Sequence, residues 1–184
     1  MKQLLKSLLV LFSLAALAGA RIAQAAPADS VDADARAALS ELYAKNSAAK
    51  ALGEKARAIL VFPQIDKVAV LLGVQSGEGA MFANGDIVGH YRADGVVAGL
   101  EAGGQSFAYA VFLMSDKALD NLAKTHGFEI GVDPNIVFLD AGAAEQITTA
   151  TAQADVYGYV FNQTGLMAGV ALQGLKITQL GSGR

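Results

Sequence analysis

With no cysteine and only two histidines in its 184 residues, this chain has no thiolate nucleophile or cysteine metal site and little imidazole to bring to a substrate. Ser76 stands in Gly73-Val74-Gln75-Ser76-Gly77. A nucleophile elbow needs Gly-x-Ser-x-Gly at a strand-to-helix turn, and here the serine comes one place late with no helical pattern after it. Asp86, His90 and Asp94 repeat every four residues and share one face of a strand, the residue types that hold a cation. Residues four apart on a strand are about 13 Å apart, too far for one ion, so a solvated face is expected. His126 falls at the C-terminal end of an expected helix, where an imidazolium complements the dipole. Gly77-Glu78-Gly79 and Gly103-Gly104 resemble pieces of phosphate loops, but neither ends in Gly-Lys-Ser/Thr or opens a helix. The first reads as a hairpin apex and the second as a structural turn. Tyr157 and Tyr159 share a strand face and are expected in the core with their hydroxyls satisfied. Nucleophile, base and orienting group never come together, so the expectation is a non-enzymatic protein with no metal and no cofactor.

Charge is more informative than any catalytic motif. Residues 45–67 carry Lys45, Lys50, Lys55, Arg57 and Lys67 against Glu54 and Asp66, while residues 26–44 set Arg36 against Asp29, Asp32, Asp34 and Glu41. The five bases are the candidate lipid-binding residues if this segment meets a membrane, where each basic group near an anionic leaflet contributes about 1 kcal/mol; the alternative is two ordinary surface helices whose apolar stripes pack on the sheet. The whole chain has net charge −3, which disfavours general nucleic-acid binding.

The elements that must hold these residues follow from periodicity. Met1–Ala25 has Lys2 and Lys6, an apolar run Leu8–Ala18 and a final Ala23-Gln24-Ala25, the layout of a secretory signal too short to span a bilayer. Leu17-Ala18-Gly19-Ala20 has the form of a lipoprotein box with Ala20 where the lipidated cysteine would be. Export to the periplasm is therefore expected, with peripheral attachment to the inner or outer membrane, and removal of the signal takes the net charge to −6. Residues 26–31 read as a tether, 32–180 as one domain and 181–184 as a loose tail. Asp32 is the expected N-cap of a helix to about Asn46, with Ala35, Ala38, Leu39, Leu42 and Tyr43 as its apolar stripe. Ser47 is the expected cap of a second helix to Arg57, and Ser115 of a third closed by Gly127.

Between Ile59 and Met114 short apolar runs alternate with Gly, Ser, Asn and Asp, predicting strands at 59–62, 67–74, 80–83, 86–92, 96–102 and 106–114. Val68, Val70, Leu72 and Val74 form one face of the second run and Ala69, Leu71 and Gly73 the other, so both faces are expected to be covered. Nine glycines between residues 67 and 114 are too many for turns alone; some must sit where another backbone passes closely. Further strands are expected at 136–139, 146–151, 156–161, 166–172 and 175–180. The fold class is α+β: a twisted, mostly antiparallel, glycine-rich sheet with N-terminal helices and one or two more packed on it.

Several motifs in order carry a family resemblance. Lys55-Ala56-Arg57-Ala58-Ile59-Leu60-Val61-Phe62-Pro63 is followed by Ile65, Lys67, Gly73 and Gly77-Glu78-Gly79. Gly99-Leu100-Glu101-Ala102-Gly103-Gly104-Gln105-Ser106 comes next, then Asp140-Ala141-Gly142-Ala143, and Gly165-Leu166-Met167-Ala168-Gly169-Val170-Ala171-Leu172-Gln173-Gly174 closes the series. Over residues 39–180 the chain resembles the SYLF lipid-binding domain family, with Glu101 where that pattern usually has glutamine. The resemblance implies an α+β domain that binds phospholipid, phosphoinositides in eukaryotic members and actin filaments in some. For an exported chain it implies an anionic phospholipid surface of the envelope, while actin is not an expected partner in that compartment. An envelope scaffold that holds a protein partner is the alternative.

Overall fold

The computed structural model describes residues 27–124, 127–130, 136–139 and 154–180. The signal-like segment, His126, the expected strand at 146–151, the motif at 140–143 and the C-terminal tail lie outside the described residues. Helix α1 spans Ala28–Lys45 and buries Val31, Ala35, Ala38 and Leu42, the spacing of a single apolar stripe. It begins four residues before Asp32, with Pro27 at the cap position. Most of the expected tether is therefore its first turn. Asp32 serves elsewhere: its Oδ1 lies 2.7 Å from His90 Nε2 on the sheet.

Helix α2, Ser47–Gly53, is capped one residue earlier than expected, by Asn46, whose Oδ1 accepts from the Ala49 amide at 2.7 Å. It stops at Gly53 and does not reach Arg57, because the Arg57 amide already donates into the sheet, to the Leu113 carbonyl at 2.7 Å. Helix α3, Asp116–Lys124, starts as expected, with Ser115 Oγ accepting from the Ala118 amide.

The strands are fewer and longer than the sequence pattern predicts. β1 is Ala58–Ala83, β2 Asp86–Leu113, β3 Gly127–Ile130, β4 Ile136–Leu139 and β5 Val156–Gln179. Their order is β1-β2-β5-β3, all antiparallel, with β4 added parallel to β5. The α+β class holds. Pro63 does not end a strand; it sits in a register shift between Phe62 and Ile65, where a missing donor is tolerated. The hairpin joining β1 to β2 turns at Asn84 and Gly85, with φ of 53° and 89°, the left-handed pair that a tight hairpin favours. Gly77-Glu78-Gly79 is thus no apex.

Instead, β1 doubles back on itself. Leu71 has φ 65° at a second register shift, and beyond it the strand returns across its own first half. A Cβ on Gly77 would fall 2.3 Å from the Gln64 carbonyl oxygen, and one on Gly73 2.3 Å from that of Val68. Close approach of backbone is what the glycine count required. β2 follows the bend with a slip in its pairing to β1, from Val70 opposite Ala102 to Leu72 opposite Ala98, while β5 stays in register with β2 through it. One core joins Leu60, Phe62 and Ile65 from before the bend to Tyr91, Ala93 and Ile177, with Ala118 and Leu122 of α3. A second lies under α1 and α2, where Leu42 and Leu52 meet Val61, Phe112, Tyr157 and Tyr159. Both tyrosines are buried as expected.

At the bend the expectation of two covered faces fails. The inward row Ile65, Lys67 and Ala69 is buried, but Val68, Val70, Leu72 and Val74 are 61% to 72% exposed. Among the described elements the helices pack on the opposite end of the sheet, so no second layer reaches this face.

Candidate functional site

A cleft of about 580 Å³ opens where α1 and α2 meet the two ends of β1. Helical periodicity brings Arg36, Leu39, Ser40 and Tyr43 of α1 to one wall. Ala56, Ala58, Ile59 and Phe82 supply apolar surface, and Glu54 and Arg57 complete the lining at the end of the helical segment. Two guanidinium groups therefore border a largely apolar hollow. That combination suits a ligand with an anionic head and a greasy body.

Each polar group has an identifiable support. Arg36 donates to the Gly85 carbonyl at 3.3 Å, and its guanidinium carbon lies 5.5 Å from the centre of the Phe82 ring, a cation–π arrangement that fixes its height above the sheet. Arg57 Nε lies 3.4 Å from Asp116 Oδ1, with both side chains well exposed. An exposed pair of this kind contributes little on its own, so Arg57 can exchange its carboxylate for a phosphate. The Tyr43 ring lies over Gly53 with no room for a side chain there. Burial, and secondarily the Glu54 charge, push the Tyr43 phenol up to about 12, so it remains a neutral hydrogen-bonding group.

The five bases singled out from the sequence do not form one face. Arg57 lines the cleft; Lys55 is exposed between its lining residues Glu54 and Ala56, and Lys50 is exposed on α2. Lys45 is held elsewhere. It pairs with Glu41 at 2.5 Å, and Glu41 also accepts from Asn162 Nδ2 on β5 at 2.7 Å. Those two hydrogen bonds hold the Glu41 carboxyl below its ordinary range, and the trio ties α1 to the sheet. Lys67 is the clear correction: it is 2% exposed. Strand alternation turns it inward with Ile65 and Ala69, and ten residues of strand set it about 30 Å from Arg57. Nearness in sequence misled there.

Arg36 is the residue that the sequence reading missed, since it stands alone in an acidic stretch. The signal was available in its spacing: Arg36, Leu39, Ser40 and Tyr43 fall at i, i+3, i+4 and i+7. Among the described residues no cluster of three His, Cys, Asp or Glu can hold a metal ion. Ser76 Oγ bonds to Asp94 at 2.6 Å, across the β1–β2 pairing, and His90 is engaged by Asp32. These polar groups are thus engaged with one another.

A search of curated proteins returns no match to this chain. Residues 94–182 match the family model described as Ysc84, Las17-binding protein actin regulator. The matched stretch runs from within β2 through the end of β5, so it contains the β2 and β5 parts of the bend and the strand that anchors β3 and β4, while Leu71 and the first-half motifs at 55–79 precede it. Together with the ordered glycine motifs, this match supports the SYLF family for the chain.

Proposed function

We propose that this domain binds anionic phospholipid at an envelope membrane without catalysing a reaction, and that the cleft between its helices and β1 receives the lipid. The observation that carries this reading is the pairing of Arg36 and Arg57 around apolar Ile59, Phe82 and Leu39. Lys50 and Lys55 add exposed positive charge on the same helical segment, each basic group contributing about 1 kcal/mol near an anionic leaflet. Lys45 and Lys67 take no part, the first tied to Glu41 and the second buried. The match to a family linked to lipid binding and actin regulation supports a binding role. The periplasmic setting rests on the signal-like layout of residues 1–25.

Sedimentation with anionic and neutral vesicles at low and high salt tests the proposal. Binding is expected to anionic vesicles at low salt, to weaken at high salt, and to fall when Arg36 and Arg57 are both changed to Glu. Equal or absent binding in all four conditions rejects it. The family description also names a protein partner, which favours a second reading, an envelope scaffold. Charge reversal at Lys50, Lys55 and Arg57 separates the two: it removes the salt-sensitive binding to anionic vesicles under the first and leaves capture of a protein partner intact under the second.

A further inference from the structure

The bend at the far end of the sheet presents Val68, Val70, Leu71, Leu72 and Val74 of β1 with Val96 of β2 and Leu166 of β5, all 61% to 88% exposed. We propose that this apolar tip is a second membrane contact, which enters the interfacial region of a lipid bilayer independently of anionic headgroups. Pairing register gathers these side chains: Val74 lies opposite Val96, and Gly104 lies between Val68 and Leu166. Gly104 puts no side chain between the flanking Val68 and Leu166, and a Cβ there would meet only the Lys67 carbonyl oxygen, at 3.9 Å. Residues 68–77 and 164–175 carry no charge at all, and Glu101, opposite Gly169, is the single charged residue of β2 after Asp94.

Three physical points select a bilayer over a protein. Burying an aliphatic side chain removes roughly 60–120 Å² from water, so seven of them amount to about 400–800 Å² at most. A standard stable interface buries about 800 Å² on each partner and is anchored by aromatic or Arg residues, none of which is among these seven. Shape argues the same way. The tip is the outside of a bend, and two convex ends of identical copies bury little against each other, whereas fluid lipid moulds to a projection. Depth is also bounded: β1 is the outermost strand in the sheet order, and an open strand edge does not enter hydrocarbon. Contact therefore stays at the headgroup–acyl boundary, where apolar side chains of peripheral proteins dock.

This contact shares with the proposed function only the requirement for a membrane; it needs neither cleft nor charge. Arg57 and the bend stand at opposite ends of the first half of β1, so a label at each end reports them separately. Because the chain has no cysteine, Leu72→Cys and Ser40→Cys can each be labelled with an environment-sensitive fluorophore on the protein as purified from its host cells. With neutral phosphatidylcholine vesicles at high salt, the label at 72 is expected to shift to the blue and to be quenched by nitroxide lipids of shallow depth, while that at 40 stays unchanged. Val70→Gln with Leu72→Gln, both at exposed positions, should lower partitioning into those vesicles on the order of tenfold or more. Response at 40 alone, with anionic vesicles, overturns the tip and leaves the cleft standing. Silence at both positions overturns both. A shift at 72 that appears without vesicles, grows with protein concentration and accompanies a doubled mass by sedimentation velocity overturns the lipid assignment in favour of a second copy.

Discussion

Gly79 lies against the backbone of Val61: a Cβ added to it would come 2.3 Å from the Val61 carbonyl oxygen and 2.6 Å from Phe62. This contact joins the two halves of one strand, and it explains why the sheet can fold over with a core only as thick as its side chains. Gly79→Ala is expected to force the halves apart and destabilise by about 1–3 kcal/mol, as overpacking does. Gly104→Ala is the control, since the nearest atom to its added Cβ is 3.9 Å away. Urea midpoints of the two variants should separate clearly; equal midpoints would mean that the halves do not approach as described.

Asn46 links helix to sheet through both ends of its amide. Its Oδ1 caps α2 at the Ala49 amide, and its Nδ2 donates to the Tyr159 hydroxyl on β5 at 2.5 Å. Asn46→Asp keeps the cap and loses the donor, whereas Asn46→Ala loses both. We expect Ala to cost about 1–2 kcal/mol, with the cap as its main part, and Asp to cost less. Should Asp prove as damaging as Ala in chemical denaturation, the strand contact outweighs the cap.

The sequence was most legible where local rules act alone. The stripe of α1, the cap at Ser115 and the short strand at 136–139 all appear where periodicity and capping place them. The glycine excess correctly implied close backbone approach, yet it could not say which strands meet, because the meeting of residue 79 with residue 61 depends on a bend at Leu71. Leu71 is a β-branch-free residue with positive φ and carries no local signal for it. The same bend decides exposure. A continuous apolar run such as 68–74 reads as a strand covered on both faces, and among the described residues no second layer reaches that end to cover it. As for the site, Arg57 was visible as charge, but Arg36 required knowing that α1 faces the β1 end, and Lys67 required knowing which side of the strand turns inward.

Ion pairs in this fold should differ sharply in worth. Glu78 and Arg92 face each other across β1 and β2 at 2.6 Å, with Glu78 only 14% exposed, so Glu78→Ala leaves a half-covered guanidinium without its carboxylate. A loss of about 1–2 kcal/mol is expected. Lys117 pairs with Asp155 at 3.7 Å and is 76% exposed, and Lys117→Ala should leave the denaturation midpoint where it was. The reverse order would show that surface charge, not burial, sets the strength of these pairs.

High pH should unfold this domain through its tyrosines. Burial raises the Tyr109, Tyr91 and Tyr43 phenols in the folded state, Tyr43 to about 12. Unfolded tyrosines ionise near 10, so between about 10 and 12 the unfolded chain holds fewer protons than the folded one and stability falls as pH rises. Below pH 10 both states are protonated and these groups make no pH-dependent difference. Urea midpoints measured from pH 8 to 12 should therefore be level with respect to these groups and then decline. Tyr43→Phe should soften the decline, since one raised phenol is gone, and should leave its onset near 10 because Tyr109 and Tyr91 remain. Absorbance at the phenolate band adds an independent check: part of the tyrosine signal should ionise only together with loss of structure, and a titration of all five tyrosines complete by pH 10.5 in folded protein would contradict the buried setting of Tyr109.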